Sequence, residues 1–215
     1  TTDESGTSTK GIKAGGGMYL NGGTYQIDSA DDSIHSNANI TIADGTYTLA
    51  TGDDGVHADD ALIVNGGTIT VTESYEGLEG LTVTINDGTI DITASDDGIN
   101  TAGEKMELNG GYIHILAGGD GVDSNGDLTI NGGEIYIDGP SDNGNSAIDY
   151  GDRSSAYVNG GTLVAIGSSG MAEVMSDSSK QKVLMVKLGE QMEAGNVVLT
   201  DSEGNVIVSY TALKT

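Results

Sequence analysis

Acidic side chains recur along this chain at one place in a repeating pattern. Asp32, Asp54, Glu76, Asp97 and Asp120 follow one another at near-constant intervals, and Asp31, Asp53 and Asp96 directly precede three of them. Three residues after each comes a second polar series, His35, His57, Glu79, Asn100 and Asp123, continued by Asp149. Carboxylates interspersed with an Asn amide are hard oxygen donors, and calcium takes roughly six to eight such oxygens in flexible geometry. If the repeats stack, like charges stand about 4.8 Å apart. Each adjacent pair then costs about 1 kcal/mol in water and several at an effective dielectric constant of about 20.

A cation is therefore expected in the column. The densest cluster falls around Asp54, Glu76, Glu79, Asp97 and Asn100, and a further one near Asp120, Asp123 and Asp149. Read singly, each Asp could merely solvate a bend. His35 and His57 suit a zinc or copper ion as well as ordinary surface exposure. Tyr75 and Tyr150 flank the edge, as contacts for sugar rings or as packing residues.

The elements that must hold such a column follow from a repeat. Ile12, Ile34, Val56, Leu78, Ile99, Val122 and Ile148 occupy equivalent places, separated by 22, 22, 22, 21, 23 and 26 residues. Gly23, Gly45, Gly67, Gly88, Gly111, Gly133 and Gly161 keep the same beat. Each repeat reads as two alternating strands around an Asn-Gly-Gly-like turn, a polar bend and a brief third strand. Such a unit leaves no room for a helix, and one coil alone cannot bury its apolar row, so neighbouring coils must share a continuous core.

The inward rows are Tyr25, Tyr47, Ile69, Ile90, Ile113, Ile135 and Leu163, with Ile27, Leu49, Val71, Ile92, Ile115 and Ile137 two places on. Asn21, Asn65, Asn86, Asn109, Asn131 and Asn159 mark the turn as a structural ladder. The expected fold is all-β: a right-handed parallel β-helix of about seven coils over residues 1–180, with a small antiparallel cap over 181–215. The cap is read from Val183–Leu188, Asn196–Leu199 and Asn205–Tyr210, since an exposed last coil would be an open edge.

Composition narrows the partners. The 215 residues include 35 Gly and one Pro, without the Gly-X-Y period of collagen. There is no Cys, Trp or Phe, which removes disulfides, thiolate metal sites and an indole sugar platform. Eight basic against 33 acidic residues give a net charge of -25, which repels nucleic acid and anionic lipid. No apolar run reaches the length that spans a bilayer. Acidity of this kind suits a calcium-rich extracellular medium, so a secreted or cell-surface location is expected.

The motifs Gly11-Ile12-Lys13-Ala14, Asp53-Asp54-Gly55-Val56-His57, Ser74-Tyr75-Glu76-Gly77-Leu78-Glu79 and Asp96-Asp97-Gly98-Ile99-Asn100 occur in this order, before a hairpin around Asp201-Ser202-Glu203-Gly204-Asn205. Together they resemble the secreted carbohydrate-binding β-helix proteins of cellulolytic clostridia and relatives, whose architecture is similar to that of pectate lyases. The resemblance implies calcium binding and attachment to cellulose or polygalacturonate-type polymers. It carries the acidic motif onto Asp53, Asp54, Glu76, Glu79, Asp96, Asp97 and Asn100, and a first-coil lysine onto Lys13. The first motif departs from the pattern at Asp31-Asp32-Ser33-Ile34-His35, and the sixth reads Asn145-Ser146-Ala147-Ile148-Asp149.

A non-catalytic, calcium-dependent polysaccharide binder is the expectation, with Lys13, His35, His57, Tyr75, Tyr150 and Arg153 as candidate ligand contacts. A polysaccharide lyase would need a Lys or Arg base beside the metal. Within the coils Lys13, Lys105 and Arg153 are the candidates, and Arg153, beside the insertion 140–145, is the best placed. A calcium-stiffened adhesin or scaffold is the third class.

Overall fold

The alternating rows do close into coils. A computed structural model describes residues 8–214, and every regular element in them is a β-strand. Among the described residues three parallel ladders run the length of a β-solenoid. The first pairs Ile12, Ile34, Val56, Leu78, Ile99, Val122 and Ile148 in register. The second pairs Met18, Ile40, Leu62, Val83, Met106, Leu128 and Ala156. The third pairs Tyr25, Tyr47, Ile69, Ile90, Ile113, Ile135 and Leu163. Seven rungs delimit about six full turns.

The inward positions are sealed in the middle of the stack and half-buried at its ends. Tyr47, Ile69, Ile90, Ile113 and Ile135 are fully buried, whereas Tyr25 and Leu163 pack on the core from its margins. That gradient is what a quasi-one-dimensional protein gives, because a terminal coil has a neighbour on one side only. The Tyr25 and Tyr47 rings stack at 5.0 Å, within 1° of parallel.

All seven beat glycines have positive φ, between 83° and 127°. A side chain there would be strained in φ. At Gly111 a Cβ would also stand 2.6 Å from the Gly88 carbonyl oxygen of the coil beneath. The Asn ladder closes beside these turns: Asn86, Asn109, Asn131 and Asn159 each donate an Nδ2 bond of 2.7–2.9 Å to the Asn one coil earlier. Ala43 stands at the Asn position of the second coil, and Asp44 one place on accepts from Gly45 N at 2.8 Å, as Asp87 does from Gly88 N two coils later.

The C-terminal segment differs from its expected form in two respects. Asn196–Thr200 and Val206–Thr211 pair antiparallel, but Val183–Leu188 forms no strand. Nor does the hairpin lie over the last coil. Tyr210 stacks on Tyr136 at 5.0 Å and donates to Asp138 Oδ2 at 2.5 Å, while Leu213 N donates to Asp138 Oδ1 at 3.0 Å. The hairpin therefore docks on the side of the solenoid, against the third ladder. The last coil is covered by the stretch before it: Ser176 N donates to Ala156 O, and Gln181 N to Val158 O. No described helix is long and apolar enough to cross a membrane.

Candidate functional site

The bend between the third and first ladders gathers the acidic series, because the first five bends turn after the same number of residues and the sixth, which carries the insertion 140–145, returns to register at Ile148. Parallel register then stacks Lys13, His35, His57, Glu79, Asn100, Asp123 and Asp149 in one column. Three residues earlier, Asp32, Asp54, Glu76, Asp97 and Asp120 form the second. Glycine after four of these acids lets the coils approach; a Cβ on Gly77 would meet the Gly98 oxygen at 2.4 Å.

The N-terminal half of the edge is neutralised by the protein itself. Lys10, which lies 22 residues before Asp32 and so heads the inner column, pairs with Asp31 at 2.7 Å and with Asp32. Burial works against the Asp31 charge, but the Lys10 ammonium holds its carboxyl down at about 2. His35 Nδ1 meets Asp32 Oδ2 at 2.7 Å. Burial and the nearby Lys10 push the His35 pKa down.

His57 behaves oppositely. Its Nδ1 lies 2.9 Å from Asp54 Oδ2 and 2.7 Å from Glu79 Oε2. Burial opposes its charge, yet these two acids raise its pKa to about 10, and the His57 bond lowers that of Glu79. The cluster expected around Asp54, Glu76, Glu79, Asp97 and Asn100 is thus split, since Asp54 and Glu79 already face a protein cation. Asp59, not singled out by the repeat, lies 3.4 Å from His57 Nε2 and 3.8 Å from His35 Nε2.

Beyond His57 no described Lys, Arg or His comes within ion-pair distance of Glu76, Asp97, Asp120 or Asp123. Burial raises Glu76 to about 8, with Glu79, Asp54 and Asp97 adding repulsion. Burial likewise raises Asp97 to about 7, and Asp120 and Asp123 to about 6 each. One oxygen from each of Asp97, Asp120 and Asp123 lies within 4.8 Å of the others. Backbone amides fix two of these acids: Asp120 N donates to Asp97 Oδ1 at 2.7 Å, and Ser146 N to Asp120 Oδ1 at 2.5 Å.

Asn100, one rung from Asp123, donates Nδ2 to Glu76 Oε2 at 2.9 Å, but its Oδ1 is buried with no hydrogen-bond partner. A buried amide oxygen left unmatched costs about 1–3 kcal/mol. Three converging carboxylates and an unmatched carbonyl-type oxygen are the donors a hard cation takes. Asp31, Asp32 and Asp53 also bring oxygens within 4.8 Å, with Lys10 against two of them.

The remaining candidates spread out. Asp96 lies by Tyr75, whose exposed hydroxyl it raises to about 12 by accepting a hydrogen bond. Asp149 accepts from Tyr150 N at 2.9 Å and faces Glu173, which the repeat did not reveal because it lies past the last coil. Tyr150 packs on the core and donates its hydroxyl to Val174 O at 2.7 Å. Lys13 is exposed at the head of the outer column. Arg153 is exposed in the turn after Ile148–Tyr150, and Lys105 pairs with Glu107 at 2.9 Å on the second ladder, away from the acidic edge.

No curated protein and no solved structure shows a significant match to the chain. Residues 1–55 and 53–203 match the family described as carbohydrate-binding domain-containing protein. The match spans nearly all the coils and the first strand of the hairpin, and by it this chain belongs to the carbohydrate-binding domain-containing protein family.

Proposed function

We propose that this protein is a non-catalytic, calcium-dependent binder of uronate-containing wall polysaccharide, acting outside the cell. The observation that carries this reading is the uncompensated C-terminal half of the acidic edge, Asp97, Asp120 and Asp123, beside the unmatched Asn100 Oδ1. Calcium there would supply positive charge to carboxylates on both sides, the protein's and the sugar's. Asp97 and Asp120, each fixed through one oxygen by a backbone amide, keep a second oxygen for a metal. A polymer laid along the stack meets similar groups at each coil, and multivalency raises weak single-site affinities by orders of magnitude.

The arrangement of cations favours binding over lyase chemistry. A lyase base must stand within reach of the bound uronate. Lys10 is held by Asp31 and Asp32, Lys105 by Glu107, and no described Lys or Arg pairs with the Asp97 cluster.

Retention on insoluble polygalacturonate, with calcium and with chelator, tests the reading. Wild type should be retained in calcium alone, and Asp97→Asn with Asp123→Asn should abolish retention without releasing unsaturated product at any stage. Equal retention in chelator, or equal retention of the double variant, would remove the metal from the account. Release of unsaturated uronate would restore the lyase reading.

A further inference from the structure

A different edge of the solenoid carries a groove built from other residues. It lies along the turn between the second and third ladders as a shallow, widely open depression of about 590 Å³, lined by Asp87, Thr89, Tyr112, Glu134, Thr162 and the backbone of four beat glycines from Gly88 to Gly161. With coils about 4.8 Å apart, these four turns give a floor roughly 14 Å long. Glycine at positive φ removes side chains from the floor, so a ligand would lie against backbone.

One outward column forms the wall. Register places Thr24, Thr46, Thr68, Thr89, Tyr112, Glu134 and Thr162 in a single row. Tyr112 interrupts a run of four threonines and is 41% exposed, although the next residue, Ile113, is fully buried. Its ring is braced from behind. Tyr136 lies 5.8 Å away at 44°, and Tyr210 of the hairpin stacks on Tyr136 at 5.0 Å. Tyr210 is itself fixed by the buried Asp138 carboxylate, and His114 lies 3.2 Å from the same hydroxyl.

We propose that this groove is a second carbohydrate site, independent of the acidic column, that takes an extended neutral glycan lying along the solenoid axis with one sugar face on Tyr112. An aromatic ring held rigid and exposed offers an apolar face at little conformational cost, and the tyrosine hydroxyl stays wet. Thr89 and Thr162 supply hydroxyls, and Asp87 and Glu134 accept hydrogen bonds from sugar hydroxyls. The coil spacing is close to the length of one hexose in an extended chain, so successive sugars meet successive rungs. Asp87 and Glu134, without a Lys or Arg in the lining, repel uronates, which separates this ligand from that of the acidic column.

The test is titration calorimetry of the full chain in excess chelator with cellohexaose, xylohexaose, mannohexaose and hexagalacturonate. At least one neutral hexasaccharide should bind and hexagalacturonate should not. Tyr112→Ala should weaken that binding about tenfold or more, as loss of a central aromatic anchor does. Glu134→Gln, which keeps the side-chain shape, should weaken it several-fold with an unchanged melting temperature, and it decides the matter if Tyr112→Ala fails to fold. Both variants should keep calcium-dependent retention on polygalacturonate, so failure here is distinguishable from failure of the metal reading. Absence of binding by all three neutral sugars, undiminished binding by both variants, or equal binding of hexagalacturonate would overturn the proposal.

Discussion

Lys10 and Asp123 belong to one edge, and between them the supply of protein charge runs out. Lys10 neutralises Asp31 and Asp32, His57 serves Asp54 and Glu79, and the acids that follow have no basic partner among the described residues. His57 is the last cation of the series. Replacing it by Gln should leave Asp54 and Glu79 facing each other across a half-buried site. Removing one partner from a fully buried pair costs about 3–5 kcal/mol. The partial exposure of His57 reduces this to about 2 kcal/mol. Denaturant unfolding of His57→Gln in chelator checks the value, and calcium should recover part of the loss if the vacated position accepts a metal. A variant as stable as wild type would mean that His57 neutralises nothing. The column itself was legible in the sequence, because its acids keep the repeat. The role of Lys10 was not, although its place 22 residues before Asp32 was the available signal. Pairing depends on side-chain reach across coils, and spacing alone leaves that open.

At the scale of the coil, the turn glycines were read correctly from spacing, and their conformation explains why the spacing is kept. Gly111 has φ +83° and no room for a Cβ beneath the Gly88 carbonyl. Gly111→Ala should therefore destabilise the protein by about 2 kcal/mol or more, combining left-handed strain with displacement of a neighbouring coil. Gly189→Ala, at an open position with no atom within 4 Å and no positive φ, should be nearly neutral. Comparing the two by thermal unfolding separates backbone strain from simple loss of glycine, and equal effects would defeat the argument. The tail was legible only in part. Asn196–Thr200 and Val206–Thr211 show strand alternation around a Gly204 turn, so the hairpin could be foreseen. Its resting place could not, because the contacts of Tyr210 and Leu213 with Asp138 span 72 and 75 residues and obey no repeat. Val183–Leu188 is apolar enough for a strand but finds no partner edge, and Leu184, Val186 and Leu188 remain exposed.

Across the whole molecule, the uncompensated acids tie stability to pH in a definite direction. Burial raises Glu76 to about 8, Asp97 to about 7, and Asp120 and Asp123 to about 6, all above the ordinary carboxylate range. Between their unfolded and folded pKa values the folded state holds more protons than the unfolded one. Stability then falls as pH rises through that window, from about 4 to about 8. For a fully desolvated group, a tenfold difference in proton affinity between the folded and unfolded chain is worth about 1.4 kcal/mol. These half-buried acids contribute a fraction of that, which still moves a melting midpoint by several degrees. His57 acts in the same direction: its raised pKa of about 10 gives a contribution that is full below the unfolded imidazole value of about 6.5 and declines above it, so the decline below pH 6.5 belongs to the acids. In chelator the melting temperature should thus decline from pH 5 to pH 8. Calcium needs the deprotonated acids, so its stabilising increment should grow over the same interval, and the curves with and without it should diverge as pH rises. Asp97→Asn with Asp123→Asn should make the chelated curve shallower between pH 5 and about 6.5, below the range in which His57 contributes, and remove the divergence. Were the chelated curve flat in wild type, the acids would be too well solvated to need a cation, and the edge would be an ordinary wet bend.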